Sequence, residues 1–277
     1  MLVNSKEVLL KARQGGYAVP SANFIDIITA RTYVNYAEKE GLPLILSYAQ
    51  AHGDFLTLEM AAAIGKDLAG RSSCPVVLHL DHGADKDFIL RAMDLGFTSV
   101  MIDASMESLE DNIAKSREIV DLAHKRGITV ESELGHVGSN EISEYKELTE
   151  STYTEVSDVI RFVEETGVDS LAISIGTSHG LYKGTPHINF DRLKEIAAAT
   201  DIPLVLHGGS SSGDENLSEC ARNGIAKINI YTDFIVAATA ALKAGGFNDY
   251  AGVQACIGRA VEDVLARYYK VFHTAKA

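Results

Sequence analysis

A chain of 277 residues, 46% hydrophobic and 23% charged, has globular composition and enough length for one α/β barrel. Its net charge of −13 argues against a nucleic-acid binder, which needs clustered Lys and Arg, but leaves room for a phosphorylated metabolite in a local cationic or amide-lined pocket. No run approaches ~20 apolar residues, the N-terminus has no secretory pattern, and Cys74, Cys220 and Cys256 are too scattered for a disulfide framework; membrane and secretion are disfavoured and a reducing cytoplasm is expected.

Taken in order, eight short apolar runs punctuate the chain: YAVPSAN, PLILSY, VVLHLD, SVMID, ITVESE, SLAISIG, PLVLHG and AKINIY. They are rich in Val, Ile and Leu, too short for helices, and lack the strict alternation of a half-exposed sheet. Parallel strands covered on both faces read this way. Between them lie stretches with helical spacing, such as DIITARTYVNYAEKEG, LTLEMAAAIGKDLAG, KDFILRAMDLG and SLEDNIAKSREIVDLAHKRG. Acidic residues favour their first turns and Gly follows several of their last turns. Eight strands alternating with helices predict a (β/α)8 TIM barrel, a single domain over 1–277 with a C-terminal helical extension. An open doubly wound sheet is the other arrangement compatible with this alternation.

In a barrel the active site sits at the C-terminal ends of the strands. The run ends are Asn23, Ser47, Asp81 with His82, Asp103, Glu133, His179, His207 and Asn229. An ordinary core edge also ends in polar groups, but it seldom collects three His and three carboxylates on one rim. His82, His179 and His207 follow the third, sixth and seventh runs, and three neutral imidazoles with an open position suit a catalytic Zn²⁺. The other histidines lie in presumed helices, loops or the tail, except His79, which sits inside the third strand as a candidate core residue. Asp81 directly precedes a proposed ligand, so it is better placed to face substrate as an acid or base. Asp103 and Glu133 are either partners of imidazole N–H groups, alternative metal ligands, or plain rim salt bridges. The segment LVLHGGSSSGDEN after the seventh run, with Lys183 in SIGTSHGLYKG, offers an anion site where barrels commonly hold phosphate.

The segments LHLDHG, MIDAS, ESELGHVG, IGTSHGLYKG, LHGGS and KINIYTD occur in order over about residues 1–272. Together they resemble the class II, zinc-dependent ketose-bisphosphate aldolases that act on fructose or tagatose bisphosphate. The resemblance implies cleavage of a phosphorylated ketose to dihydroxyacetone phosphate and an aldehyde such as glyceraldehyde 3-phosphate. It implies a zinc ion on His82, His179 and His207, with a monovalent cation as a further activator. By the same resemblance Asp81 transfers the proton at the C4 hydroxyl, and Glu141, on a mobile loop, moves the C3 proton. Gly180, Lys183, Gly208, Ser210 and Thr232 would hold the ketone-side phosphate, and Asn23 and Asn229 would contact the enediolate half. Arg259 matches the arginine that reaches the far phosphate from a neighbouring subunit, which implies a homodimer or homotetramer; its alternative is a surface salt bridge.

Residues alone favour the metal route over a Schiff base, because Lys227 begins the last strand, at the end away from the rim. Three departures concern the aldehyde half, one of them SYAQAHGD after the second run, which lacks the Ser/Thr and Gly pattern common in relatives. The mobile loop, often Gly-Gly-x-Glu-Asp, reads GSNEIS here, and Tyr231 stands where fructose-bisphosphate enzymes often carry Asp. The competing functions are an aldolase for another ketose phosphate, a different metal-dependent barrel enzyme such as a hydrolase, and a non-catalytic aldolase-like subunit.

Overall fold

The structure is a computed structural model that describes residues 1–140 and 152–277. Two N-terminal residues, Leu2–Val3 (β1), pair beside the strand Val76–Gly83 (β4). The barrel itself consists of β4 with Val19–Asn23 (β2), Leu44–Ala49 (β3), Ser99–Ile102 (β5), Thr129–Leu134 (β6), Ser170–Ile173 (β7), Leu204–Leu206 (β8) and Ile225–Ile230 (β9). All neighbouring pairs are parallel, and β2 pairs with β9, which closes the ring. Closure rules out the open doubly wound sheet. Each of the eight runs read from the sequence contributes one barrel strand.

Helices follow the strands: Lys6–Gly15 (α1), Ile27–Glu40 (α2), Leu58–Arg71 (α3), Lys86–Leu95 (α4), Leu109–His124 (α5), Val156–Thr166 (α6), Phe190–Ala199 (α7), Asp214–Arg222 (α8), Thr232–Ala244 (α9) and Tyr250–Val271 (α10). Their starts are fixed by side chains that accept first-turn N–H groups: Asp26 for α2, Thr57 for α3, Asp85 for α4, Ser108 for α5 and Asp249 for α10. Apolar faces of the helices pack on the outside of the sheet, and the large core cluster lies in that shell, with Tyr33, Phe97, Phe162 and Phe234 fully buried. Helix α1 covers the opposite end of the barrel from the strand C-termini. There Val8, Leu9 and Ala12 pack with Val19, Ile45 and Val77. Helix α10 packs along α9 and α2.

Above this apolar plug the barrel interior turns polar. Strand alternation sends Ser21, Ser47, His79, Ser99, Glu131, Ser170 and Lys227 inward, all of them buried. The next inward layer toward the C-terminal ends holds Asn23, Asp81, Glu133 and Asn229. The site rests on this polar column.

Candidate active site

Consecutive residues of a strand point to opposite faces, so Asp81 and His82 would normally part. In β4 the pairing register with β5 shifts between Leu80 and Gly83, and His82 takes a left-handed backbone at φ 47°. This irregularity re-aims His82, as bulges at barrel rims do, at a cost that non-glycine residues in this conformation carry. Asp81 then accepts one hydrogen bond from Asn23 Nδ2 and one from Asn229 Nδ2, both at 2.8 Å. Both amide oxygens, Asn23 Oδ1 and Asn229 Oδ1, are buried with no partner among the described residues. They are acceptors ready for a ligand's hydroxyl groups.

His82, His179 and His207 come together at the barrel mouth, with one nitrogen of each within 4.8 Å of the others. Their rings are nearly perpendicular to one another, at 77°, 84° and 89°. His179 lies in the loop after β7, and its backbone is pinned to the segment after β6: His179 N–H donates to Gly138 O, and Asn140 N–H donates to His179 O, both at 2.8 Å. His82 Nδ1 meets Asp103 Oδ2 at 2.7 Å, and His207 Nε2 meets Glu131 Oε1 at 3.0 Å. Each of these two carboxylates offers an acceptor to the ring's outer nitrogen. The inner nitrogens, His82 Nε2 and His207 Nδ1, face one point and lie 2.7 Å apart, a hydrogen-bond distance that one shared proton bridges. Three imidazoles converging on that point suit a tetrahedral ion with one open position, the ion taking the place of the proton.

The local field is negative. Burial opposes charge on His82, yet Asp81 and Asp103 raise its pKa to about 10. Burial likewise opposes charge on Asp81, but His82, His207 and Lys227 hold it well below the usual carboxylate range. Glu133 behaves oppositely: burial and the nearby Asp103 push it up to about 8. Glu133 accepts from Val137 N at 2.9 Å, and its Oε2 has no partner among the described residues. Of the two acidic residues expected to hold imidazoles, Asp103 does so, whereas Glu133 instead lies with His82 and Asp103 as a further set of potential ligands.

The carboxylate that holds His207 is Glu131, which the reading of strand ends missed. Lys227 donates to both its oxygens at 2.8 and 2.7 Å, and to His79 Nε2 at 3.1 Å. A sequence signal existed: Glu131 and Lys227 are ionisable residues two positions before Glu133 and Asn229, hence on the same inward faces. Lys227 is confined to this ion pair inside the barrel, in agreement with its exclusion as a rim nucleophile. His79 is a hydrogen-bonded core residue, with Nδ1 2.9 Å from Ser99 Oγ.

A narrow cleft opens beside His179. Its lining includes Asn23, Asp81, His179 and Asn229 together with Gly180, Gly208, Ser210 and Thr232. Ser210 Oγ accepts from the N–H groups of Tyr231 and Asp233 at the start of α9, so the loop after β8 and the α9 N-terminus form one rigid corner. Such a corner favours an anion. Gly208 has φ 66°, and a Cβ there would lie 2.4 Å from the Ser178 carbonyl oxygen; only glycine lets the β8 loop approach the β7 loop. Tyr231 also lines the cleft, its ring 4.5 Å from that of His52, a buried imidazole whose nitrogens have no hydrogen-bond partner among the described residues. Lys183 is exposed in the β7 loop and does not line the cleft. Arg259 is exposed on α10 and likewise lies outside the cleft lining. Glu141 falls outside the described residues.

The comparisons with known proteins decide the family. The sequence profile described as "Fructose-bisphosphate aldolase class-II" matches residues 3–277. The chain belongs to the class II fructose-bisphosphate aldolase family. This aldolase is 35% identical over 247 residues to a fructose-bisphosphate aldolase of Staphylococcus aureus, covering 87% of this chain and 85% of the relative. It is 37% identical over 242 residues to the D-tagatose-1,6-bisphosphate aldolase subunit GatY of Klebsiella oxytoca, with the same coverage of 87% and 85%. The crystal structure of the YdjI aldolase from Escherichia coli K12 superposes with a TM-score of 0.88 at 30% identity, over 99% of this chain and 98% of that one. The (β/α)8 fold and the aldolase activity expected from the sequence therefore stand.

Proposed function

We propose that this aldolase reversibly cleaves a ketose 1,6-bisphosphate of the fructose or tagatose type to dihydroxyacetone phosphate and an aldehyde such as glyceraldehyde 3-phosphate. The observation that carries the reading is Asp81, held by two amides beside a three-histidine cluster and facing the same cleft. Relatives named for both sugars support the substrate class. His82, His179 and His207 would hold Zn²⁺, and when bound it supplies Lewis-acid stabilisation of the negative charge that develops in bond cleavage. Asp81 takes the proton of the C4 hydroxyl; the C3–C4 bond breaks, C4 becomes the aldehyde carbon, and the electron pair stays on the ketone-side fragment. The unpartnered amide oxygens of Asn23 and Asn229 accept from hydroxyls of that fragment. Gly180, Gly208, Ser210 and Thr232 bind its phosphate, assisted by Lys183, and Glu141 returns the proton to C3. Arg259 of a neighbouring copy meets the far phosphate in a homodimer or homotetramer, and a monovalent cation activates.

The chain acts as one domain in the cytoplasm. The three cysteines are free, and no helix among the described residues is long and apolar enough to cross a membrane; both support that placement. The test is a panel of phosphorylated ketoses, assayed for dihydroxyacetone phosphate with metal content measured in parallel. Release of dihydroxyacetone phosphate from a ketose bisphosphate, abolished by chelation and restored by Zn²⁺, is expected. A chain that cleaves none of the panel would overturn the substrate class.

A further inference from the structure

The barrel interior contains an ion pair that the proposed reaction never touches. Glu131 on β6 and Lys227 on β9 are 1% exposed each and meet across the barrel, since β6 and β9 are not neighbours in the sheet. The Glu131 carboxylate makes four hydrogen bonds and lies 3.9 Å from His79 Nε2. One oxygen accepts from His207 Nε2 and Lys227, and the other from Lys227 at 2.7 Å and Ser170 Oγ at 3.4 Å. The third Lys227 partner, His79, is anchored on Ser99, so the network ends without a loose proton. A pair this deeply buried contributes weakly to stability, because desolvation offsets its attraction. Its geometry fits a different task.

A neutral imidazole has two tautomers, and only one offers a lone pair at Nδ1. Ring orientation and tautomer of a metal-binding histidine are set by what its other nitrogen meets. We propose that Glu131, locked in place by Lys227, is the positioning residue that keeps His207 protonated on Nε2 with Nδ1 toward the cation, and thereby sets how tightly the cluster holds it. Asp103 does the same for His82 from the rim. Asp103 is partly exposed and lies just past the end of β5, whereas Glu131 acts from inside the barrel and needs Lys227 to keep its carboxylate from turning. This inference rests on the zinc reading of the three histidines.

Two double variants isolate the contact. E131L/K227M and E131Q/K227M both replace the ion pair with neutral side chains of similar size, but only Gln retains an oxygen for His207 Nε2–H. Each is titrated with Co²⁺, whose visible spectrum reports ligand number and geometry, after circular dichroism and thermal unfolding establish the fold. E131L/K227M should bind Co²⁺ roughly 10–100-fold more weakly than E131Q/K227M, with an altered spectrum. Equal affinities and spectra in the two variants overturn the proposal while leaving the zinc reading intact. Failure of the unmodified chain to bind Co²⁺ overturns both. In the unmodified protein, histidine ¹⁵N correlation spectra should place the His207 proton on Nε2; a proton on Nδ1 overturns the proposal whatever the variants do.

Discussion

Asp81 and His82 are consecutive residues of β4, yet both side chains enter the barrel mouth. Asp81 is held there by Asn23 and Asn229, while His82 turns its Nε2 to within 2.7 Å of His207. The register shift in β4 and the left-handed backbone of His82 make this possible. Acid–base and cation-binding groups are thereby fixed side by side on a rigid strand rather than on a loop.

The division of labour between these neighbours is testable. Asp81→Ala should lower turnover by roughly 10²–10⁴, the usual worth of a positioned acid or base, while metal content stays at the level of the unaltered chain. Metal loss in this variant would make Asp81 a ligand or a support instead.

Replacing His82, His179 or His207 by Ala should remove metal and aldol cleavage together, because a three-ligand site with an open position has none to spare. Elemental analysis of the purified variants, with turnover, reads both. Full turnover in chelator-treated protein would contradict the metal assignment.

Gly208→Ala places a Cβ 2.4 Å from the Ser178 carbonyl oxygen at φ 66°. Strain of about 1–3 kcal/mol should appear as a lower Tm and, because the β8 loop borders the phosphate corner, a raised KM. Gly70→Ala is the control: its Cβ meets nothing within 4 Å, and α3 should gain about 1 kcal/mol or less from the better helix former. Equal behaviour of the two variants would remove the argument for close approach at Gly208.

Arg259 makes no hydrogen bond or ion pair with the described residues and is exposed on α10, so a planar, always-charged donor is available to a neighbouring copy or an anionic ligand. Arg259→Ala should reduce kcat/KM for the bisphosphorylated ketose roughly 30-fold and scarcely change the affinity for dihydroxyacetone phosphate, which lacks the far anion. Equal effects on both ligands would return Arg259 to a structural role.

What could be read from the sequence follows from period and position. Eight apolar runs with helical spacing between them specify parallel strands covered on both faces, and their polar ends mark a rim. Asn23, Asp81, His82, His207 and Asn229 were legible as a site because a barrel places all strand ends at one mouth, whatever their separation in the chain. The tertiary structure decided the contacts that depend on angle and burial. Alternation predicts opposite faces for Asp81 and His82, and only the bulge in β4 reconciles them. Asp103 and Glu133 look alike as acidic strand ends, yet one meets an imidazole and the other a backbone N–H, because β5 stops one residue before Asp103 while Glu133 still lies within β6. Glu131 and Lys227, 96 positions apart, read as isolated ionisable residues in apolar runs. They become a pair only when ring closure brings β6 and β9 to face each other across the interior. A one-dimensional pattern records which way a side chain points, but which side chain it meets depends on the closed geometry of the barrel.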